Sequence, residues 1–178
     1  MGDSDSRQPQ TFSQLAELHV AGLFAEAGWL VYFPHRDEGF DFIAMRDLGD
    51  QSLIRPVQVK GRYPTGAKLD RPSIGFIGEL TKLHPEMVLA IAYFDVSEIP
   101  VIRHVAFMPQ SMFKPDKRGI RCLPAKFQQG MVIPRGDHAK FFDHEGLRRV
   151  ADPNWKSSVL EGYADRPSVE DDERSGEP

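Results

Sequence analysis

Cysteine is almost absent: Cys122 is the only one in 178 residues. No intrachain disulfide can form, so a reducing compartment, the cytoplasm, is the expected location. Long hydrophobic runs are missing too. No window approaches the roughly 18 apolar residues of a membrane-crossing helix, so no membrane partner is expected. The first ten residues, MGDSDSRQPQ, contain no apolar stretch of the kind a secretory leader needs. No internal repeat is present. Nor is there an excess of positive charge: 22 Lys and Arg face 26 Asp and Glu, a net of −4. That balance speaks against a simple nucleic-acid coat protein.

The charge is unevenly placed. Between residues 161 and 178 seven acids outweigh two bases, a net of −5, which leaves +1 for residues 1–160. Within that part, residues 114–149 carry nine bases and four acids, a net of +5. With 40% hydrophobic and 27% charged residues the chain has the composition of one globular domain. The expected organisation is a frayed N-terminus at 1–10 and a single domain at 11–160. That domain has a core at 12–110 and a basic extension at 114–150. An acidic tail at 164–178, nearly free of large apolar groups, is expected to be disordered.

Hydrophobic spacing predicts a helix over 12–27. Leu15, Leu18, Ala21 and Ala25 form its stripe, Leu23 and Phe24 widen it, and Thr11 or Ser13 caps it. Gly22 would weaken this helix or let another element come close, and Gly28 would end it. Short strands are predicted at 29–33, 40–46 and 53–61, in an order that suggests an antiparallel meander. A weaker helix or turn is predicted at 77–83. A buried strand follows at 87–95 and its hairpin partner at 102–108. Beyond 114 the pattern is irregular, with strand-like pieces at 119–123 and 131–134 and a short helix at 143–150.

Four polar positions stand out against this apolar framework. Asp41 lies in Gly39-Phe40-Asp41-Phe42-Ile43, where a casual charge would be expensive. Gln58 and Lys60 lie in Val57-Gln58-Val59-Lys60-Gly61 and, two apart on a strand, share a face. Glu17 lies in the first helix. Together they would gather carboxylate, amide oxygen and ammonium at one end of a small sheet. Oxygen donors of this kind suit Mg²⁺ or Mn²⁺, and a lysine beside them suits charge developing on a phosphoryl oxygen.

A helical Glu, then GFD on one strand and QVK on the next, in α-β-β-β-α-β order, resembles the PD-(D/E)xK nuclease superfamily. The resemblance covers roughly 12–110 and is nearest to members with Gln in the (D/E)xK element. It implies a restriction-endonuclease-like α/β core, a central mixed sheet flanked by helices. It implies Asp41 as principal metal ligand, Gln58 as metal or water ligand, Lys60 as catalytic lysine and Glu17 as first-helix acid. The chain departs from the pattern at Phe40, where the family often has proline, and at Gln58, which replaces an acid and lowers the expected Mg²⁺ affinity. Glu79 could stand in as a migrated acid.

Around this set, Arg62 and Lys68 follow the QVK strand, and His35 and Arg36 precede Asp41 with Asp37 and Glu38. All are placed to reach a phosphate or the site's rim. Asp137-His138 and Asp143-His144 look like ligand pairs but have no cysteine or tight His spacing to make zinc sites. Lysines and arginines between 114 and 149 interleave with Phe113, Phe127, Phe141 and Phe142, as in a phosphate-contacting surface. The expected function is a Mg²⁺-dependent DNA endonuclease in restriction, defence, mobile-element or repair work, with room for a homodimer. The alternative is a DNA-binding or protein-interaction module on the same fold, its chemistry lost through Gln58 or its basic segment masked by the acidic tail.

Overall fold

The computed structural model describes residues 7–36, 38–64, 76–78, 84–95, 101–117 and 119–155. Its centre is a five-stranded mixed sheet. The strands are β1 (Leu30–Tyr32), β2 (Phe42–Asp47), β3 (Ser52–Arg62), β5 (Val88–Phe94) and β6 (Ile102–Pro109), side by side in the order β1-β2-β3-β5-β6. β1, β2 and β3 form the expected antiparallel meander, β5 runs parallel to β3, and β6 returns antiparallel. The turn at Leu48–Gln51 closes β2 onto β3. There Gly49, at φ +92°, donates its N–H to Asp47 Oδ1. Pro56 stands opposite Ile43, ahead of the point where β5 joins β3 at Val57. The donor it lacks is therefore not needed by the ladder to β5.

Helix α1 (Arg7–Glu26) packs across this sheet. It begins earlier than the sequence suggests, so Thr11 and Ser13 lie inside it rather than at its cap. Its buried face also differs. Ala16, Val20, Ala21 and Phe24 are buried, whereas Leu15 is 43% and Leu18 64% exposed. Two apolar stripes overlap in LAELHVAGLFAEA, and the one carrying Phe24 wins because its ring reaches Phe42, Phe107 and Trp29 edge-on. Gly22 is exposed, and a Cβ there would meet nothing within 4 Å, so it serves no close approach. Gly28, at φ +83°, ends the helix as expected.

β5 is buried along its whole length, as its unbroken apolar run predicts. The opposite face of the sheet at β5 is covered by later elements. β9 (Ala125–Gln128) and β10 (Met131–Pro134) form a hairpin turned at Gln129 and Gly130, both with positive φ. Tyr93 meets Phe127 from this hairpin and stacks on Phe142. Helix α2 (Asp143–Val150) lies along β6, pinned there by an isolated bridge between Ala106 and Phe142. A small sheet of β4 (Phe76–Gly78), β8 (Gly119–Arg121) and β7 (Lys114–Asp116) completes the described fold.

The fold class is thus mixed α/β, with few helices. The helix or turn expected at 77–83 is not what stands at 76–78, where β4 pairs with β8 instead. Gly75 and Gly78 disfavour a helix there, and a strand partner 42 to 45 residues away is invisible to local pattern. Residues 79–83, like the tail at 164–178, lie outside the described residues.

Candidate active site

Asp41 sits just before β2. The last pair of the β2–β3 ladder is Phe42 with Val57, so beyond it β3 presents unpaired backbone on that side. Asp41 fills the gap. Its backbone N–H donates to Val57 O at 2.9 Å, and its Oδ2 accepts the Val59 N–H at 2.5 Å. The same oxygen accepts a second bond, from Gln58 Nε2 at 2.5 Å. The aspartate therefore finishes the strand edge and is fixed by it.

Gln58 is 8% exposed and Lys60 half-buried. Val57 and Val59, between and before them, are buried under α1, so Gln58 and Lys60 point to the other face, as strand alternation requires. Glu17, on α1, is half-buried. Burial pushes its carboxyl above the ordinary 4.5, the nearby Asp41 carboxylate pushes it further, and Lys60 pulls it back. Two carboxylates and one ammonium thus sense one another across α1, β2 and β3. Asp41 and Gln58 are in direct contact here, while Glu17, on the α1 side of the sheet, is in electrostatic reach of Asp41 and of Lys60 on the other face.

The outlying candidates are distributed differently. His35 and Arg36 are exposed in the segment between β1 and β2, and Glu38 is exposed beside them. Arg62 ends β3 and is half-buried. Burial lowers its pKa, with Tyr93 and Cys122 close enough to act on it in the opposite direction. It therefore belongs as much to the packing around Tyr93 as to the site's rim. Lys68 and Glu79 lie outside the described residues. Among the described residues no three His, Cys, Asp or Glu side chains gather in a metal-holding arrangement. The Glu17–Asp41 pair needs the amide of Gln58 as its third donor.

That donor set fits a hard cation. It is all oxygen, and Mg²⁺ keeps several waters, so two carboxylates and an amide carbonyl are enough protein ligands. In the structure it is the N–H₂ side of Gln58 that meets Asp41. To present its carbonyl oxygen, the amide must turn over. The backbone N–H of Val59 is the site partner that sequence reasoning missed. A side chain one residue before a strand, beside a partner strand that runs on, is the signal that could have found it.

No protein-family model matches the chain, and no curated protein matches it.

The raised pKa of Glu17 has a measurable consequence. A carboxyl whose folded-state pKa lies above its unfolded one favours folding while protonated. It loses that contribution as pH rises through the folded value. Glu17→Gln is therefore expected to raise Tm at pH 7. The gain should shrink as pH falls and vanish below 4.5, where the unfolded carboxyl is protonated as well. Thermal melts of the two proteins from pH 3 to pH 8 check it.

Proposed function

We propose that the chain is a Mg²⁺-dependent (or Mn²⁺-dependent) deoxyribonuclease with a restriction-endonuclease-like core. One observation carries the reading. The Asp41 carboxylate is docked on the edge of β3 by Gln58 and by the Val59 N–H, with Glu17 and Lys60 in electrostatic reach. Here a second carboxylate is held near the first, an arrangement that stores repulsion and suits a cation. The order α1, β1-β2-β3 meander, then β5 parallel to β3 supports the same reading.

A bound divalent ion would polarise the scissile phosphate and lower the pKa of a coordinated water. Asp41 and Glu17 would hold that ion, with the Gln58 carbonyl oxygen after the amide turns. Lys60, on the face shared with Gln58, orients the attacking water or meets the charge growing on the phosphoryl oxygens. His35 and Arg36, exposed ahead of Asp41, contact the DNA backbone, joined by Arg62 at the end of β3 and by Lys68.

The orientation of Gln58 favours a second reading. With its N–H₂ group satisfying Asp41, the site also works as a closed hydrogen-bond network on a DNA-binding module without chemistry. Incubation of supercoiled plasmid and branched DNA with Mg²⁺ or Mn²⁺ separates the two. The nuclease reading expects cleavage by the wild type and a loss of at least about 10²-fold in Lys60→Ala. Identical residual activity in both proteins would remove the site assignment. Salt-dependent DNA binding with no cleavage in either ion would favour the binding module.

A further inference from the structure

The two faces of the central sheet are covered differently. α1 lies on the face that carries Phe42, Ala44 and Val57, all buried. On the other face, Phe127 and Phe142 cover Tyr93 of β5. That cover does not extend to β1. Register sets two rows of side chains there, each running across β1, β2 and β3: Leu30–Met45–Ile54 and Tyr32–Ile43–Pro56. Partners in register share a face, and these six point away from α1. Leu30 is 55%, Tyr32 52% and Ile54 52% exposed, Met45 and Ile43 are half-buried, and Pro56 alone of the six is buried. None of the six carries a charge. An antiparallel sheet face left in water normally alternates to polar residues. β2 does not: Phe42, Ile43, Ala44 and Met45 are apolar in succession, the pattern of a strand buried on both sides.

The occupant of this face must be apolar and uncharged. A phosphate backbone does not suit it, because no Lys or Arg stands among the six. The chain's own segments outside the described residues do not supply it either. They contain no run of more than two apolar residues, and the longest of them, 156–178, has three bases against seven acids. A second copy of the same chain does supply it. Around a two-fold axis a patch meets itself, so any charge in it would face its like; an uncharged patch has no such cost. Two faces of this kind, stacked about 10 Å apart, make the core of a sandwich. The area bears on the strength of the contact. The six residues expose on the order of 400 Å² per copy, the size of patch that marks an interaction site on a monomer. Two copies together bury about 800 Å² before the rim is counted, short of the roughly 1,200 Å² of stable interfaces, which suits a dimer of micromolar affinity.

We propose that the uncovered face of β1, β2 and β3 is the interface of a homodimer, in which the Leu30–Met45–Ile54 and Tyr32–Ile43–Pro56 rows of two copies pack face to face. Gln58 follows Pro56 on the same face of β3. The interface therefore stops one position short of the Asp41–Gln58 contact and leaves it at the border. The dimer does not depend on the chemistry at Asp41.

Sedimentation equilibrium of the full chain from about 1 µM to about 500 µM, a range that brackets a weak interface, tests this. The wild type is expected to pass from monomer to dimer across it. Ile54→Lys sets like charges against each other across the axis and is expected to weaken the dimer at least about tenfold. Leu30→Lys, on another strand of the same row, is expected to do the same. Both positions are more than half exposed, so thermal melts of the dilute proteins should show the fold intact. Ile54→Thr keeps the β-branched shape without a charge and is expected to weaken the dimer at least about threefold. Leu18→Lys, exposed on α1 at the opposite face of the sheet, is expected to leave it unchanged. A chain that stays monomeric at the highest concentration overturns the proposal, whether another protein or one of the chain's own segments covers the face. So does a dimer that all three substitutions at Ile54 and Leu30 leave intact, because its interface then lies elsewhere. Plasmid cleavage enters none of these readouts.

Discussion

Asp41→Ala is expected to abolish divalent-ion-dependent DNA cleavage, a loss of about 10³-fold or more, equivalent to about 4 kcal/mol of transition-state stabilisation. The same substitution should also unsettle the fold. Asp41 Oδ2 is the acceptor for the Val59 N–H and for the Gln58 amide. Alanine leaves a backbone donor unmatched at the edge of a central strand, at a cost of about 1–3 kcal/mol. Relief of the repulsion between Asp41 and Glu17 offsets part of that. Asp41→Asn separates the two effects. Its side-chain oxygen still accepts from Val59, so urea denaturation should place it near the wild type, but the lost charge should leave it as inactive as alanine. An active Asp41→Asn protein would show that the carboxylate does not act on a metal ion.

Arg55→Met is expected to be the most destabilising single change outside the apolar core, by about 3–5 kcal/mol in urea denaturation. Arg55 is 2% exposed, and its guanidinium ties three parts of the chain together. Nε donates to Val150 O at 3.0 Å, Nη2 to Asp152 O at 2.8 Å, and Nη1 to the Glu86 carboxylate. The end of α2 is thereby fastened to the middle of β3. Burial lowers the arginine's pKa, and Glu86 and Asp152 offset that only in part. Without the arginine, the partly buried Glu86 and two carbonyl oxygens each lose a charged donor. Arg55→Met combined with Glu86→Leu should recover part of the loss, because the carboxylate that faced the guanidinium goes too.

The prominence of Arg55 also marks where sequence reading stops. In Leu53-Ile54-Arg55-Pro56-Val57 a charge at a core-facing position is legible as a group that needs partners. Those partners lie 31, 95 and 97 residues further on, and no local pattern names them. The same holds for His104. Asp143-His144 looked like a ligand pair, yet the structure joins Asp143 to a histidine 39 residues earlier. On α1 the period of 3.6 was plain, but choosing between two overlapping apolar stripes required knowing where Phe42 and Phe107 would stand.

The scarcity of cysteine, the lack of a membrane-length apolar run, the three meander strands and the buried run at 87–95 all followed from the residues themselves. So did the shared face of Gln58 and Lys60, because strand alternation has a fixed period of two. These are local consequences of covalent geometry and side-chain transfer energy. The tertiary structure decided which side chains meet: that Glu17 and Asp41 repel one another, that Asp41 caps the Val59 N–H, and that the His104–Asp143 pair lines a cavity. Such encounters are set by chain topology over tens of residues, where loop closure costs little and depends weakly on length. For that reason the sequence indicates what each residue needs, and only the packed chain supplies the partner.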